Sequence, residues 1–578
     1  MRMHRAWRWL VCIVAASGPG AAFVSGQETR PAPSPGPASV LDVIPSDAWS
    51  FVAVRDLAAL DGKLKTFQQQ VEFPLALSPT LGLRAYLNVG EGVNDRGEFA
   101  LALLAPASPE AEEDWGGRTL LILPVTDFDA AIKSLHPQRL DDLVTRVVLR
   151  EEASHAAKLG SFALFSERED VLRRVLTAPK RIRDGLSRHA VERVAETDLT
   201  WWTNAEAVTN ADAVRRFLRE NLSGMTIPMS WTNTRQLQVS LRLTPDGLYT
   251  AVIAEYPPDR VVQPGEAPAS RLLLGLPATG YVFGGGWAFF DPAEARRTLD
   301  EFFITPTTSV KLFKPDKAQA FAELYHGASA HIRVAGFSIN LLRPGPDGHV
   351  GLVKVIETGG DAEPLISAIG RWAELMREKP FEDPELNRQW TDWIFVKDAE
   401  RVGDAPVHHL TLDLSARQGR AWEATRRILG RDAFRARVAV VGRHVVMTVG
   451  GGSEFFSAVL AAVRDGRAEI VEAPDVRKPA ALLPEQGTFG RWHVDEAAAE
   501  RLVDLVLREY VGGSASGATE GVHAAVSGVA RNLSATSREH DVFIPIDVIR
   551  RIKGVFLMGP SSPPAPPAKE PPGTDPNR

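Results

Sequence analysis

Three phrases from the first half of this 578-residue chain return, in the same order, in its second half. Ile44-Pro45-Ser46-Asp47-Ala48-Trp49-Ser50-Phe51, with a helix after Asp56, is echoed by Leu276-Pro277-Ala278-Thr279-Gly280-Tyr281-Val282-Phe283, with a helix after Asp291-Pro292. Leu120 to Ile132 parallels Gly351 to Ile369. Gly160 to Ser166, leading into Val171, Leu172, Val175 and Leu176, parallels Gly442 to Val449, leading into Phe455, Phe456, Val459 and Leu460. Each phrase is a β-prone run that passes through a turn or cap into apolar residues three and four apart, the period of an amphipathic helix. A spacing far longer than a solenoid repeat predicts two copies of one larger strand-and-helix plan.

The punctuation between these phrases points to an α+β fold of two related lobes, each a mainly antiparallel sheet with packed helices. Strands are expected at Trp49–Val54, Phe99–Leu104, Leu120–Val125, Val144–Leu149 and Phe162–Phe165, with Asp127 capping the helix that bears Phe128 and Ile132,. Thr244-Pro245-Asp246-Gly247 reads as a hairpin turn between Gln236–Leu243 and Leu248–Tyr256,. We divide the chain into a first lobe, 40–270, a second lobe, 271–477, and a smaller C-terminal α+β segment, 478–558. The composition, 44% hydrophobic and 24% charged, is that of a globular protein, and the net charge of -6 exerts no pull toward nucleic acid or anionic lipid,.

The ends read differently. Residues 1–26 have the basic opening (Arg2, Arg5, Arg8), apolar run (Leu10 to Val24) and small-residue end (Ser25, Gly26) of an export signal, with cleavage expected before Gln27,. Gly18-Pro19-Gly20 shortens the run below the roughly 20 residues of a spanning helix,. Cys12, the only cysteine, follows bulky Val11 too early in that run to accept a lipid, so a cleaved chain has no disulfide, no thiol nucleophile and no Cys-ligated zinc,. Residues 27–39 form a Pro-rich linker and 559–578 a disordered Pro-rich tail by composition,. No run after the signal reaches membrane-spanning length.

Ile44-Pro45-Ser46-Asp47-Ala48 into Val52-Ala53-Val54-Arg55-Asp56-Leu57, Leu123-Pro124-Val125-Thr126-Asp127-Phe128, Gly275-Leu276-Pro277-Ala278 and Ile544-Pro545-Ile546 resemble the phrases of a bacterial family of exported proteins with duplicated α+β lobes, a domain of unknown function. The likeness spans most of residues 40–557. It implies export and a duplicated architecture, and it brings no activity or catalytic residue to carry over.

A search for chemistry singles out no catalytic, cofactor-binding or metal-ligating residue. No pair of histidines four apart brackets a glutamate; His408 and His409 are adjacent and face opposite ways on a strand, and His326 and His331 lack a third ligand,. Gly450-Gly451-Gly452-Ser453 sits between a strand and a helix but has no P-loop lysine, and its counterpart Ser166-Glu167-Arg168-Glu169 has no glycine, so it reads as a turn,. Gly284-Gly285-Gly286 reads as a bulge or a close backbone approach,. Ser514 and Ser516 lie in a flexible loop rather than a nucleophile elbow, and Glu110 to Asp114 is a solvated acidic run,. Of Trp201 and Trp202, neighbours on a strand, only one can face the core,. The expectation is therefore an exported, periplasmic or secreted, non-enzymatic protein that binds an envelope protein or an apolar ligand. The alternatives are a structural envelope component and a hydrolase with an unrecognised site.

Overall fold

Hairpins and caps set the local structure. Thr244 to Gly247 closes two nine-residue strands in full register, from Thr244↔Gly247 to Gln236↔Glu255. Asp56 and Asp127 each turn strand into helix by accepting a backbone N–H, from Ala59 at 2.8 Å and from Ala130 at 3.1 Å,. The computed structural model describes residues 39–557 except 73–77, 108–116, 150, 212–233, 261–262, 264, 301–311, 344, 413–418, 431–433 and 511–523. The signal segment with Cys12, the rest of the linker, the tail, Ser514, Ser516 and Glu110 to Asp114 lie outside the described residues.

Among the described residues twenty strands form one antiparallel sheet. The first ten are β1 (Ala48–Val54), β2 (Phe99–Leu104), β3 (Thr119–Pro124), β4 (Gln138–Arg139), β5 (Val144–Leu149), β6 (Glu152–Leu159), β7 (Phe162–Ser166), β8 (Leu199–Thr203), β9 (Gln236–Thr244) and β10 (Gly247–Glu255). The second ten are β11 (Tyr281–Ala288), β12 (Ile332–Leu341), β13 (Val350–Thr358), β14 (Trp393–Val402), β15 (Ala405–Leu412), β16 (Arg435–Val441), β17 (His444–Val449), β18 (Thr488–Asp495), β19 (Ala525–Ser534) and β20 (Ser537–Pro545). Ladder pairing places the first set in the order β4-β5-β6-β7-β3-β2-β1-β8-β9-β10. The second set runs β14-β15-β16-β17-β13-β12-β11-β18-β19-β20, the same order strand for strand. Residues 478–558 thus supply β18 to β20, which stand in the second half where β8 to β10 stand in the first.

The halves meet where β10 pairs with β20, in a register from Gly247↔Pro545 to Glu255↔Ser537 that is centred on Ala251↔Asp541. A buried ionic cluster backs this seam. Arg193, from the first-half helix Arg188–Glu196, reaches Glu539 at 2.6 Å and Asp541 at 3.1 Å on β20. Arg531 on β19 contacts the same two carboxylates, and the Tyr249 hydroxyl donates to Asp541. Burial, and then the neighbouring Glu539, push the Asp541 carboxyl up to about 6 against the pull of the two guanidiniums,.

One face of the sheet carries equivalent cores in both halves. Phe51, Ile122, Leu164 and Trp202 pack with Leu172 and Val175 of the helix Glu169–Thr177. Val353, Val355 and Val446 pack with Phe456, Val459 and Leu460 of the helix Gly452–Arg464. The opposite face separates the halves. In the first it is closed by a second core, in which Leu101, Leu121 and Phe165 pack with Leu57 and Leu60 of the helix Leu57–Val71.

Candidate functional site

The ladder register makes the two halves comparable residue by residue on that opposite face. Starting beside the seam centre, the first-half row reads Val252, Val239, Trp201, Val52, Leu101, Leu121 and Phe165 across β10, β9, β8, β1, β2, β3 and β7. The second-half row reads Val542, Gly528, Trp492, Gly285, Phe337, Lys354 and Met447 across β20, β19, β18, β11, β12, β13 and β17. Trp201 and Trp492 thus occupy one position. Val52, Leu101 and Leu121 are buried; of the residues in their places Gly285 is buried beneath its aromatic neighbours, Phe337 is half-buried and Lys354 is exposed.

Glycines let aromatic rings lie down on this floor. A Cβ at Gly528 would stand 2.3 Å from the Trp492 indole, and one at Gly490 would stand 2.6 Å from Trp287, so each ring covers a glycine on the next strand. Gly285 is hemmed by Phe283, Trp287 and Trp492, each within about 3 Å of an added Cβ. The Phe283 and Phe337 centroids are 6.1 Å apart. Phe283, Trp287, Phe337 and Trp492 are each half-buried, so each keeps part of its ring in solvent.

Helices border the open floor. Ile356 and Met447 join Ile366 and Ile369 of the helix Glu363–Arg377. Ile339 and Leu352 join Ile428 of the helix Arg420–Leu429 with Leu502 and Leu505 of the helix Glu496–Tyr510. Phe283, Phe337, Trp287 and Trp492 belong to neither cluster. Two polar side chains rise from the floor, Lys354 and, on β20, His540. Both reach solvent, yet burial lowers the Lys354 ammonium below the ordinary lysine range and takes the His540 imidazole down to about 4, with Arg538 adding to the latter. Both side chains are exposed on the open face. Among the described residues Lys354 has no hydrogen-bond or ion-pair partner.

The residues weighed from sequence fall elsewhere. Trp202 is 2% exposed and stacks on Phe51 with centroids 5.5 Å apart, while Trp201 turns to the other face and donates from Nε1 to Ser50 Oγ at 2.9 Å. The Gly284 to Gly286 strip is a close approach: a Cβ at Gly286 would meet the Leu272 carbonyl oxygen at 1.8 Å, and one at Gly284 would meet Ile470 at 2.3 Å. Gly450, Gly451 and Gly452 all have positive φ, and the Asp347 carboxylate sits 2.6 Å from where a Gly452 Cβ would be, filling the turn with negative charge. His408 accepts the Asp398 N–H at 3.0 Å, and His409 faces Glu400 at 3.3 Å. His326 is bonded to Asp300. His493, fully buried on β18, shares a 2.8 Å hydrogen bond with Ser527 and is driven down to about 3 by burial and then Arg491. No group of three or more His, Cys, Asp and Glu stands ready to hold a metal ion among the described residues, and none of their helices is long and apolar enough to cross a membrane.

Sequence inspection missed Phe337, Trp492 and Lys354. The signal was present: in Val350 to Thr358 a single lysine interrupts an apolar strand at a position that alternation assigns to the half-open face,. Compared with family models, curated proteins and solved structures, the chain matches none.

Proposed function

We propose that this is an exported envelope protein, built by duplication of one α+β unit, whose second half holds an apolar ligand on its open face. The observation that carries the reading is the row Trp492, Gly285, Phe337 and Lys354, set where the first half has Trp201, Val52, Leu101 and Leu121. Duplication draws support from the shared strand order and from the register itself. Counting out from the seam pairs Phe165 with Met447, and each stands five residues after the glycines of the third echoed phrase, Gly160 and Gly442. Apolar-ligand binding draws support from the aromatic floor, since binding sites for small molecules are predominantly apolar recesses with few polar groups.

Bromine-labelled methyl stearate, which carries no charge, tests the reading by quenching tryptophan fluorescence on contact with Trp287 and Trp492. The expected result is saturable quenching, weakened about tenfold by Phe337→Ser through lost apolar contact. Quenching that stays linear up to the ester's solubility limit would discard the reading. Export is tested separately by fusing residues 1–30 to a reporter, which should leave the cytoplasm.

A protein partner is the second reading. Val503, Val506, Leu507 and Tyr510 form an exposed apolar stripe along the helix Glu496–Tyr510, between 38% and 56% exposed,. Charged substitution of Val503 and Leu507 should abolish a pull-down from an envelope extract while leaving ester binding intact.

A further inference from the structure

We propose that Lys354 is the head-group site of this face and that the ligand is a single-chain amphiphile ending in a carboxylate. This rests on the apolar-ligand reading and adds to it the chemical class of the ligand. Three observations carry it.

The first is charge. Lys354 stands at the middle of β13 with Phe337 and Met447 as ladder partners and no acidic partner among the described residues. Its register counterpart in the first half is Leu121, which belongs to the closed core. Lys354 is exposed and unpaired on an otherwise apolar row, so a ligand lying along that row brings its anion to a cation with no competing carboxylate,. One ammonium, with no guanidinium or second cation beside it on that row, matches a monoanionic head better than a phosphate, which takes more charge and more donors.

Width is the second. Leu352 and Ile356, the same-face neighbours of Lys354 along β13, are each held by a different helix-backed cluster. At β13 Lys354 is the one exposed side chain between them, and rows on one face are about 7 Å apart, which at that end leaves room for one chain rather than two,.

The third is length. From Lys354 the row crosses β12, β11 and β18 to Gly528 on β19. At a strand spacing of about 4.8 Å that is roughly 19 Å of continuous floor, the reach of a long extended acyl chain. The carboxylate accepts from the Lys354 ammonium at one end, and the tail runs over Phe337 and Trp492 toward the seam.

The test compares bromine-labelled stearate with its methyl ester on the full chain, both read by tryptophan quenching. The acid should bind about tenfold tighter than the ester. Lys354→Met should weaken the acid about tenfold and leave the ester unchanged, and Lys354→Arg should restore the acid. Equal affinities for acid and ester, or a Lys354→Met protein that binds the acid as well as the natural chain does, would overturn the head-group assignment while leaving the apolar face standing. Tighter binding of a lysophosphatidate than of the acid would overturn the carboxylate. Failure of the acid and the ester alike would remove the apolar-ligand reading and this assignment with it.

Discussion

β2 and β3 in the first half and β12 and β13 in the second hold the same places in the same strand order, yet they are built to opposite specifications. Phe99 to Leu104 and Thr119 to Pro124 are buried at every position, because helices or loops cover both faces of that part of the sheet. Ile332 to Leu341 and Val350 to Thr358 alternate, buried on one face and half-open on the other. Continuous apolar runs and alternating ones are the sequence forms of those two environments. The difference teaches that strand order and ladder register set the frame, while the covering helices decide which half is a closed wall and which keeps a half-open face.

The largest way to break this contrast is to write the second half's residue into the first. Leu121→Lys places an ammonium where the side chain is 6% exposed inside a closed core. A loss of about 4 kcal/mol or more in chemical denaturation is expected, the size that an unpaired buried charge brings. A loss below about 1 kcal/mol would show that the first half has an open face as well.

Next in size is the seam that holds the contrasting halves together. Arg193→Met leaves Glu539 and Asp541, both essentially inaccessible, with Arg531 alone. About 3 kcal/mol should be lost at neutral pH. The Asp541 carboxyl stands at about 6 in the fold against an ordinary 3.8, so its contribution to stability is fully present below 3.8 and is lost as pH rises through 6,. Removing Arg193 raises this carboxyl further, and the deficit should therefore be larger at about pH 8 than at about pH 5. A deficit that grows on acidification would show that the carboxylates are not burdened by burial.

How far the sequence discloses this molecule depends on what fixes each element. Periodicity and caps locate β2 and β5 to the residue, and Asp56 and Asp127 mark their helices, because those signals are local. β6 escapes, since Glu152 to Leu159 is alanine-rich and charged, and it is extended only because β5 and β7 pair with it on either side,. The placement of β18 beside β11 escapes for the same reason: it rests on a ladder between residues some two hundred positions apart. The site is half legible. A lysine within an alternating strand is visible, but its being unpaired, and its lying in one row with Phe337 and Trp492, depend on neighbours contributed by other strands.

Glycines sharpen the comparison between the two faces of the second half of the sheet. Gly286→Ala would drive a Cβ into the Leu272 carbonyl, which is backbone and cannot swing aside, and about 2 kcal/mol should be lost,. Gly528→Ala meets the Trp492 indole, a half-buried side chain that can shift where backbone cannot, so less than about 1 kcal/mol is expected,. Thermal denaturation of both variants gives the answer. Equal losses would mean that the Trp492 ring is pinned from above and that the floor is not open.

The smallest expected effect is the reverse exchange, Lys354→Leu, which writes the first half's residue into the second. If Lys354 served the fold, removing it would cost stability. It is exposed and makes no ion pair or hydrogen bond among the described residues, so no favourable contact of the ammonium is lost when it goes,. Leucine at this position adds apolar contact with Phe337 and Met447, its ladder partners. The variant should be as stable as the natural chain or more so, by less than about 1 kcal/mol, with unaltered far-ultraviolet circular dichroism. A lysine whose removal leaves the fold unharmed is free of an architectural role, as the carboxylate proposal requires. A loss of more than about 1 kcal/mol would instead assign Lys354 to the architecture, and the open row would then have no head-group end.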